Sequence, residues 1–205
     1  RDTTHAINVE GTLNAFRAAV DVGAKRFVYA SSVAAYGFHY DNPTPIPEDW
    51  ATRPARRLTY AQDKAELEQL LRAEAADHPE IELYLLRPPI VLGPDAVGAK
   101  VAIPPLLEPV ARGAGALVRH LPGLPTLMPD LPLQLIHQDD VAEALRLCIV
   151  GAGPPGAYNI AADDVVTLAG IARELGLRPL TLPTRPVAAM ARQVSRLPAL
   201  PRLAQ

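Results

Sequence analysis

Residues 4–22 set Ala6, Val9, Leu13, Phe16 and Val20 at spacings of three and four, and the next apolar stretch, Phe27 to Ala30, is only four residues long. The first pattern is the stripe of an amphipathic helix, closed by Gly23 as a C-terminal cap. The second is too short for a helix and shows no polar alternation, which marks a strand buried on both faces. The pair then recurs. A helix of about 60–76, with Thr59 as its cap and Gln62 in the reciprocal capping-box place, precedes the strand 81–87, IELYLLR, which stops at Pro88-Pro89. Helix, strand, helix, strand in this order points to parallel βαβ packing.

Beyond about residue 90 the chain is more irregular. Proline makes up 22 of the 205 residues and clusters in 43–54, 88–133 and 178–201, where it marks loops and linkers rather than element interiors. The expected elements are a helix around 104–112, a strand at LPLQLIH, a helix at DDVAEALRLCIV and a short strand at AYNIA. A helix at TLAGIAREL follows, then a strand and a weak helix in the tail from Arg178.

Composition narrows the function classes. Hydrophobic residues at 49% and charged residues at 20% describe a globular chain. A net charge of -2, with no run of five or more basic residues, argues against nucleic acid and anionic membrane as partners. The single cysteine, Cys148, cannot form an internal disulfide, which fits a reducing cytoplasm. No uninterrupted apolar run approaches the roughly 20 residues of a membrane span. The chain starts at Arg1, not methionine, and is expected to be a piece of a longer protein.

Two motifs compete for attention. Gly151, Gly153 and Gly156 in IVGAGPPGAY fit G-x-G-x-x-G. That motif binds a dinucleotide only where a strand precedes it and a helix opens at its third glycine, aiming amides at the pyrophosphate. Here a helix precedes it, AYNIAADD follows it, and Pro154 and Pro155 each remove a donor. It reads as a helix-to-strand turn. His137, Asp139 and Asp140 lack a convincing metal-ligand constellation, and Asp140 with Glu143 fits a helix cap.

The second motif is TYAQDK. Six tyrosines and three lysines in 205 positions make a chance Tyr-x-x-x-Lys uncommon. On a helix, Tyr60 and Lys64 share a face. A free phenol, with a pKa near 10, is a poor proton acceptor at neutral pH. An ammonium about 4 Å away, at an effective dielectric near 20, favours the phenolate by roughly 4 kcal/mol before desolvation is subtracted. The positive end of the helix acts in the same sense. The pair therefore has the chemistry of a general acid/base. FVYASSVAAYG places Ser31 and Ser32 at the carboxyl end of the preceding strand, where open α/β sheets bind ligands.

NVEGTLNAFRAAVDVGAKRFVYASSVAAYG, then YAQDK, LRPPIVLGP, LIHQDDVAEAL and AYNIA, appear in this order between about Asn8 and Ala161. Together they resemble the extended short-chain dehydrogenase/reductases, the NAD-dependent epimerase/dehydratase family. The resemblance implies an α/β fold, namely the C-terminal part of a Rossmann-like doubly wound parallel sheet plus a smaller irregular α/β substrate lobe. Residues 1–90 would form the second half of the Rossmann-like domain. Residues 91–205 would form mainly the substrate lobe, with about 131–160 returning to the main sheet. The family's opening strand and G-x-x-G-x-x-G turn have no counterpart in the 205 residues.

By that resemblance the cofactor is NAD or NADP. Tyr60 is the proton donor or acceptor, Lys64 lowers its pKa and bonds the nicotinamide ribose, and Ser32 orients the substrate oxygen. Tyr60 and Lys64 thus serve catalysis and cofactor alike, with Ser31, Pro88, Pro89 and Ile90 as further cofactor contacts, Asn8 as an ordering residue and no metal. The family's nucleotide-sugar enzymes commonly show R-Y-F-N and R-D-F-I-H where this chain has RPPI and LQLIH. Ile90, Leu133 and Gln134 thereby replace groups suited to a diphosphate, which favours hydride transfer to a smaller ketone over nucleotide-sugar epimerisation or dehydration. The leucines of 100–135, Leu106, Leu107, Leu117, Leu121, Leu124 and Leu127, read as an apolar pocket wall or, more simply, as core. The resemblance also implies a homodimer through helices 4–22 and 60–76. Without a phosphate cradle the 205-residue chain alone is expected to be inactive, and a truncated or split-protein fragment is the alternative reading.

Overall fold

The structure, a computed structural model, describes residues 5–56, 58–94, 125–130, 132–174 and 176–182. Two compact units divide the chain, one drawn from Arg1–Ala96 and Leu135–Ala162, the other from Val97–Gln134 and Asp163–Gln205.

The first unit opens with a π-helical turn, Ala6–Glu10, that runs into α1, Gly11–Asp21. Gly23, at φ 69°, ends the segment: its amide bonds the carbonyl of Val20 and that of Ala24 bonds Ala19, the left-handed cap expected of it. Strand β1, Arg26–Ala30, leads into a single 3-10 turn, Val33–Tyr36. Helix α2, Thr59–Asp77, is followed by β2, Glu82–Arg87. A short β3, Ile90–Leu92, sits just past Pro88-Pro89, where sequence reading saw only the end of a strand. Helix α3, Gln138–Val150, and β6, Gly156–Asn159, complete the unit.

β1, β2 and β6 form a parallel sheet in that order, with Tyr29 opposite Leu85 and Leu86 opposite Tyr158. Side chains alternate across it. Tyr29 and Leu85 enter a core with Val9, Phe16, Leu67, Leu71 and Ile81, and Phe27 meets the ring of Phe16 edge-on at 5.1 Å. Tyr84 and Leu86 face the other way, onto Cys148 and α3. Helices thus cover both faces, which is why the strands carry no polar alternation. Leu85, 1% exposed, and Leu71, fully buried, each contribute about 1.5–3 kcal/mol of burial. The LPLQLIH stretch forms strand β5, Pro132–His137, and its second half, Leu135, Ile136 and His137, pairs in parallel with β3.

In the second unit β4, Pro125–Pro129, runs parallel to β8, Arg178–Leu182. Its strand β7, Val165–Thr167, pairs antiparallel with Pro132–Gln134 of β5, and α4, Leu168–Glu174, buries Ala169 and Ala172. The expected helix around 104–112, the weak helix beyond residue 182 and the pocket-wall leucines 106, 107, 117, 121 and 124 lie outside the described residues.

Both expected N-terminal helix caps need correction. Thr59 is the first residue of α2, and Leu58 precedes it with no side-chain cap, while the Gln62 amide donates to the Arg56 carbonyl at 2.8 Å. Likewise α3 starts before Asp140, with His137 at the capping position, where Nδ1 accepts the Asp139 amide at 3.3 Å. Glu143 pairs with Arg146 one turn on. In both cases a closer polar partner took the group that a capping box would have used. Gly151, at φ 72°, is the left-handed cap of α3, so the glycine-rich stretch is a turn leaving a helix.

Candidate active site

The carboxyl end of β1 is where the parts converge. Lys64, one turn into α2, donates from Nζ to the carbonyl of Ala30 at 2.6 Å. The same ammonium lies 4.7 Å from the ring centre of Tyr29 and 5.7 Å from that of Tyr60, both within cation–π reach. Tyr60 is half exposed, whereas Tyr29 is buried. Burial pulls the Lys64 ammonium below the usual lysine range, with Glu68 pulling the other way. Burial also pushes the Tyr29 phenol far above its ordinary value, and Tyr60, Glu68 and Asp63 add to that.

Ser32 stands two residues past the carbonyl that Lys64 holds. It is extended and caps the 3-10 turn, its Oγ accepting the Ala34 amide at 3.2 Å. The next amide, of Val33, bonds the Pro88 carbonyl at 3.1 Å, which fastens the serine turn to the Pro88–Ile90 segment. Ile90 itself is exposed.

Ser31, expected as a cofactor contact, gives its hydroxyl to Glu68 at 2.6 Å. Glu68 is 1% exposed and pairs with Arg87, 2% exposed, through Nε at 2.9 Å and through Nη2. Arg87 also donates to the Tyr36 hydroxyl and to the Glu48 carbonyl, and its guanidinium stacks 4.6 Å from the Tyr36 ring centre. Tyr36 passes the network on to Asn159 at 2.8 Å. Desolvation opposes the Arg87 charge, but Glu68 and Tyr36 outweigh it and hold its pKa above the ordinary value. One buried ion pair therefore ties together the serine turn, α2 and the Arg87–Ile90 segment. Sequence reading left Glu68 out, though it continues the row of Tyr60 and Lys64 at a spacing of four.

Asp63 was also passed over. Buried at 5% exposure, it accepts from Asn8 at 3.4 Å and lies 3.3 Å from His5 Nδ1, so Asn8 ties the first helical turn to α2. A cavity of about 180 Å³ opens here, bordered by Asn8, Thr12, Tyr29, Tyr60, Asp63 and Lys64. A larger recess of about 540 Å³ lies between the 48–52 loop and α2, but Glu68 and Arg87 in its lining are already spent on each other. Among the described residues no group of three or more metal-ligating side chains converges, and no helix is long and apolar enough to cross a membrane.

A family model described as the NAD dependent epimerase/dehydratase family matches residues 1–161. The chain belongs to that family. An uncharacterised protein of Mycobacterium tuberculosis is 28% identical over 181 residues, 86% of this chain and 43% of that protein. The fold is similar to a UDP-N-acetylglucosamine 4-epimerase from Methanobrevibacter ruminantium in complex with UDP-N-acetylmuramic acid, with TM-score 0.65, 19% identity, and 86% of this chain and 56% of that one covered. It is also similar to RMD from Pseudomonas aeruginosa complexed with NADPH, with TM-score 0.64, 22% identity and coverage of 88% and 62%. The chain thus spans about half the length of the relatives it matches. Family and neighbours agree on a nicotinamide cofactor, NAD or NADP, and on a Rossmann-like α/β fold.

Proposed function

We propose that the chain carries the acid/base half of a nicotinamide-dependent oxidoreductase acting on a hydroxyl or ketone. The observation that supports this best is the shared placement of Tyr60, Lys64 and the Ser32 turn at the carboxyl end of β1. When bound, NAD or NADP would supply or accept the hydride. Tyr60, half exposed, gives or takes the proton at the substrate oxygen through its hydroxyl. Lys64 holds a positive charge beside the Tyr60 ring and bonds the ribose, and Ser32 orients the substrate oxygen. The Pro88–Ile90 backbone would border the nicotinamide.

The residues present fit the nicotinamide end of the cofactor. They do not supply its pyrophosphate site among the described residues, since Gly151 caps a helix rather than opening one. We therefore assign the 205-residue chain no turnover by itself, and assign residues 91–205 mainly to the substrate. The homodimer through helices 4–22 and 60–76 and a cytoplasmic setting belong to the same proposal.

The test is Tyr60→Phe in the chain joined to a glycine-rich βα half from a family member, assayed against small ketones and nucleotide sugars. Turnover should fall by about 10²- to 10⁴-fold. Unchanged turnover would overturn the assignment of Tyr60. Net oxidation of the reduced cofactor with a ketone supports the reductase reading. Conversion of a nucleotide sugar with no net cofactor change favours the epimerase reading that the Methanobrevibacter neighbour represents.

A further inference from the structure

Two tyrosines flank one lysine at this site, and the acid/base reading uses only Tyr60. Tyr29 is left over. It stands on β1 with 8% of its surface exposed, and its hydroxyl has no hydrogen-bond partner among the described residues. What it does offer is the face of its ring. Lys64 Nζ sits 4.7 Å from the Tyr29 ring centre, closer than the 5.7 Å to that of Tyr60, while donating to the Ala30 carbonyl. An aromatic face attracts an ammonium through its quadrupole, most strongly where water is excluded.

We propose that Tyr29 is a positioning residue for Lys64: its ring face, not its hydroxyl, seats the ammonium that the site presents to Tyr60. This deepens the acid/base reading and rests on it for its purpose. A free lysine side chain samples many rotamers. Here the Ala30 carbonyl fixes the direction of one N–H and the Tyr29 ring fixes the side from which the ammonium is approached. The remaining groups around it are consistent with that division of labour. Asp63 and Glu68 of α2 are the nearby carboxylates, but Asp63 is engaged by Asn8 and faces His5, and Glu68 by Arg87 and Ser31. Neither is the ammonium's hydrogen-bond acceptor. Burial first, then Tyr60 and the same carboxylates, keep the Tyr29 phenol protonated, so Tyr29 faces the ammonium as a neutral ring and leaves proton transfer to Tyr60.

The test needs no turnover. Lysine occurs only three times in the 205-residue chain, so ¹³C-lysine labelling gives a simple spectrum in which Lys64→Arg identifies the Lys64 signals. In the parent, the Lys64 ε-protons should be shifted upfield by ring current. Tyr60→Leu, at an exposed position, should keep most of that shift, and Tyr29→Phe should keep it too. Tyr29→Leu should abolish it. Loss of the shift in Tyr60→Leu would make Tyr60 the seat, and loss in Tyr29→Phe would make the hydroxyl responsible; either overturns the proposal. Should Tyr29→Leu fail to fold, the other two variants decide it between them. Because the readout is a proton shift, its failure is distinguishable from an unchanged rate in Tyr60→Phe, which would count against the catalytic reading alone.

Discussion

The buried pair of Glu68 and Arg87 is the residue-scale feature with the clearest cost. Arg87 is 2% exposed and Glu68 1%, so removing one partner strands a charge in the interior. Glu68→Gln should destabilise the chain by about 3–5 kcal/mol, read as a lower midpoint in urea. Replacing both with apolar residues should cost less than the sum of the two single changes. Tyr29 gives a pH prediction with a defined sign. Its phenol is raised in the folded chain, while the unfolded chain ionises near pH 10. The folded state therefore keeps a proton that the unfolded state gives up, and stability is lost as pH climbs past about 10. Lys64, lowered by burial, acts in the opposite sense, its cost relieved as pH rises. Tyr29→Phe removes only the first effect. The variant should lose less stability than the parent between pH 7 and about 10.5, measured by urea midpoints.

At the scale of elements, the turns decide more than the strands do. Gly23 and Gly37 both take positive φ, 69° and 70°. A Cβ at Gly23 would meet nothing within 4 Å, whereas one at Gly37 would lie 2.1 Å from the Arg53 carbonyl. Gly23→Ala meets the left-handed strain of about 1–2 kcal/mol, whereas Gly37, at ψ 171°, lies in a region that essentially only glycine enters. Gly37→Ala should cost clearly more, because backbone must also move, and thermal unfolding of the two variants checks the order. Helix α2 depends on its buried row. Leu71 is fully buried against Phe16 and Leu85, and Leu71→Ala should cost about 2–5 kcal/mol. These elements also show what a sequence discloses. The stripe of α1, the strands β1, β2, β5, β6 and β8 and the Gly23 cap follow from residue spacing and from the left-handed region that glycine enters freely, whereas β3, β4 and β7 lie where proline clusters or a helical pattern masked them. The starts of α2 and α3 do not follow from spacing, because several polar groups within a few residues compete for the same capping roles and spacing alone does not rank them.

For the whole molecule, the described strands leave β1 at the end of its sheet, and the chain spans 43% of its Mycobacterium relative. The end strand of a parallel sheet beside the candidate site is a place for further strands to pair. Joining the chain to a glycine-rich βα half from a family member should create nicotinamide binding, seen by calorimetry with NADH and NADPH. The 205-residue chain alone should show none. Binding by the chain alone would mean that the phosphates are held in some other way.

The sequence by itself determined the class of fold and singled out the tyrosine–lysine pair that we propose as the acid/base. Both are written in local periodicities: a helical stripe before a short apolar strand, and a tyrosine one turn ahead of a lysine. Tertiary structure decided what those residues touch. It gave Ser31 to Glu68, fixed Arg87 under Tyr36, set Asn8 on Asp63 and slid Tyr29 beneath Lys64. Each of these contacts joins residues far apart in the chain, and burial makes them strong by excluding the water that would otherwise compete. No local pattern records which distant partner a buried polar group will find.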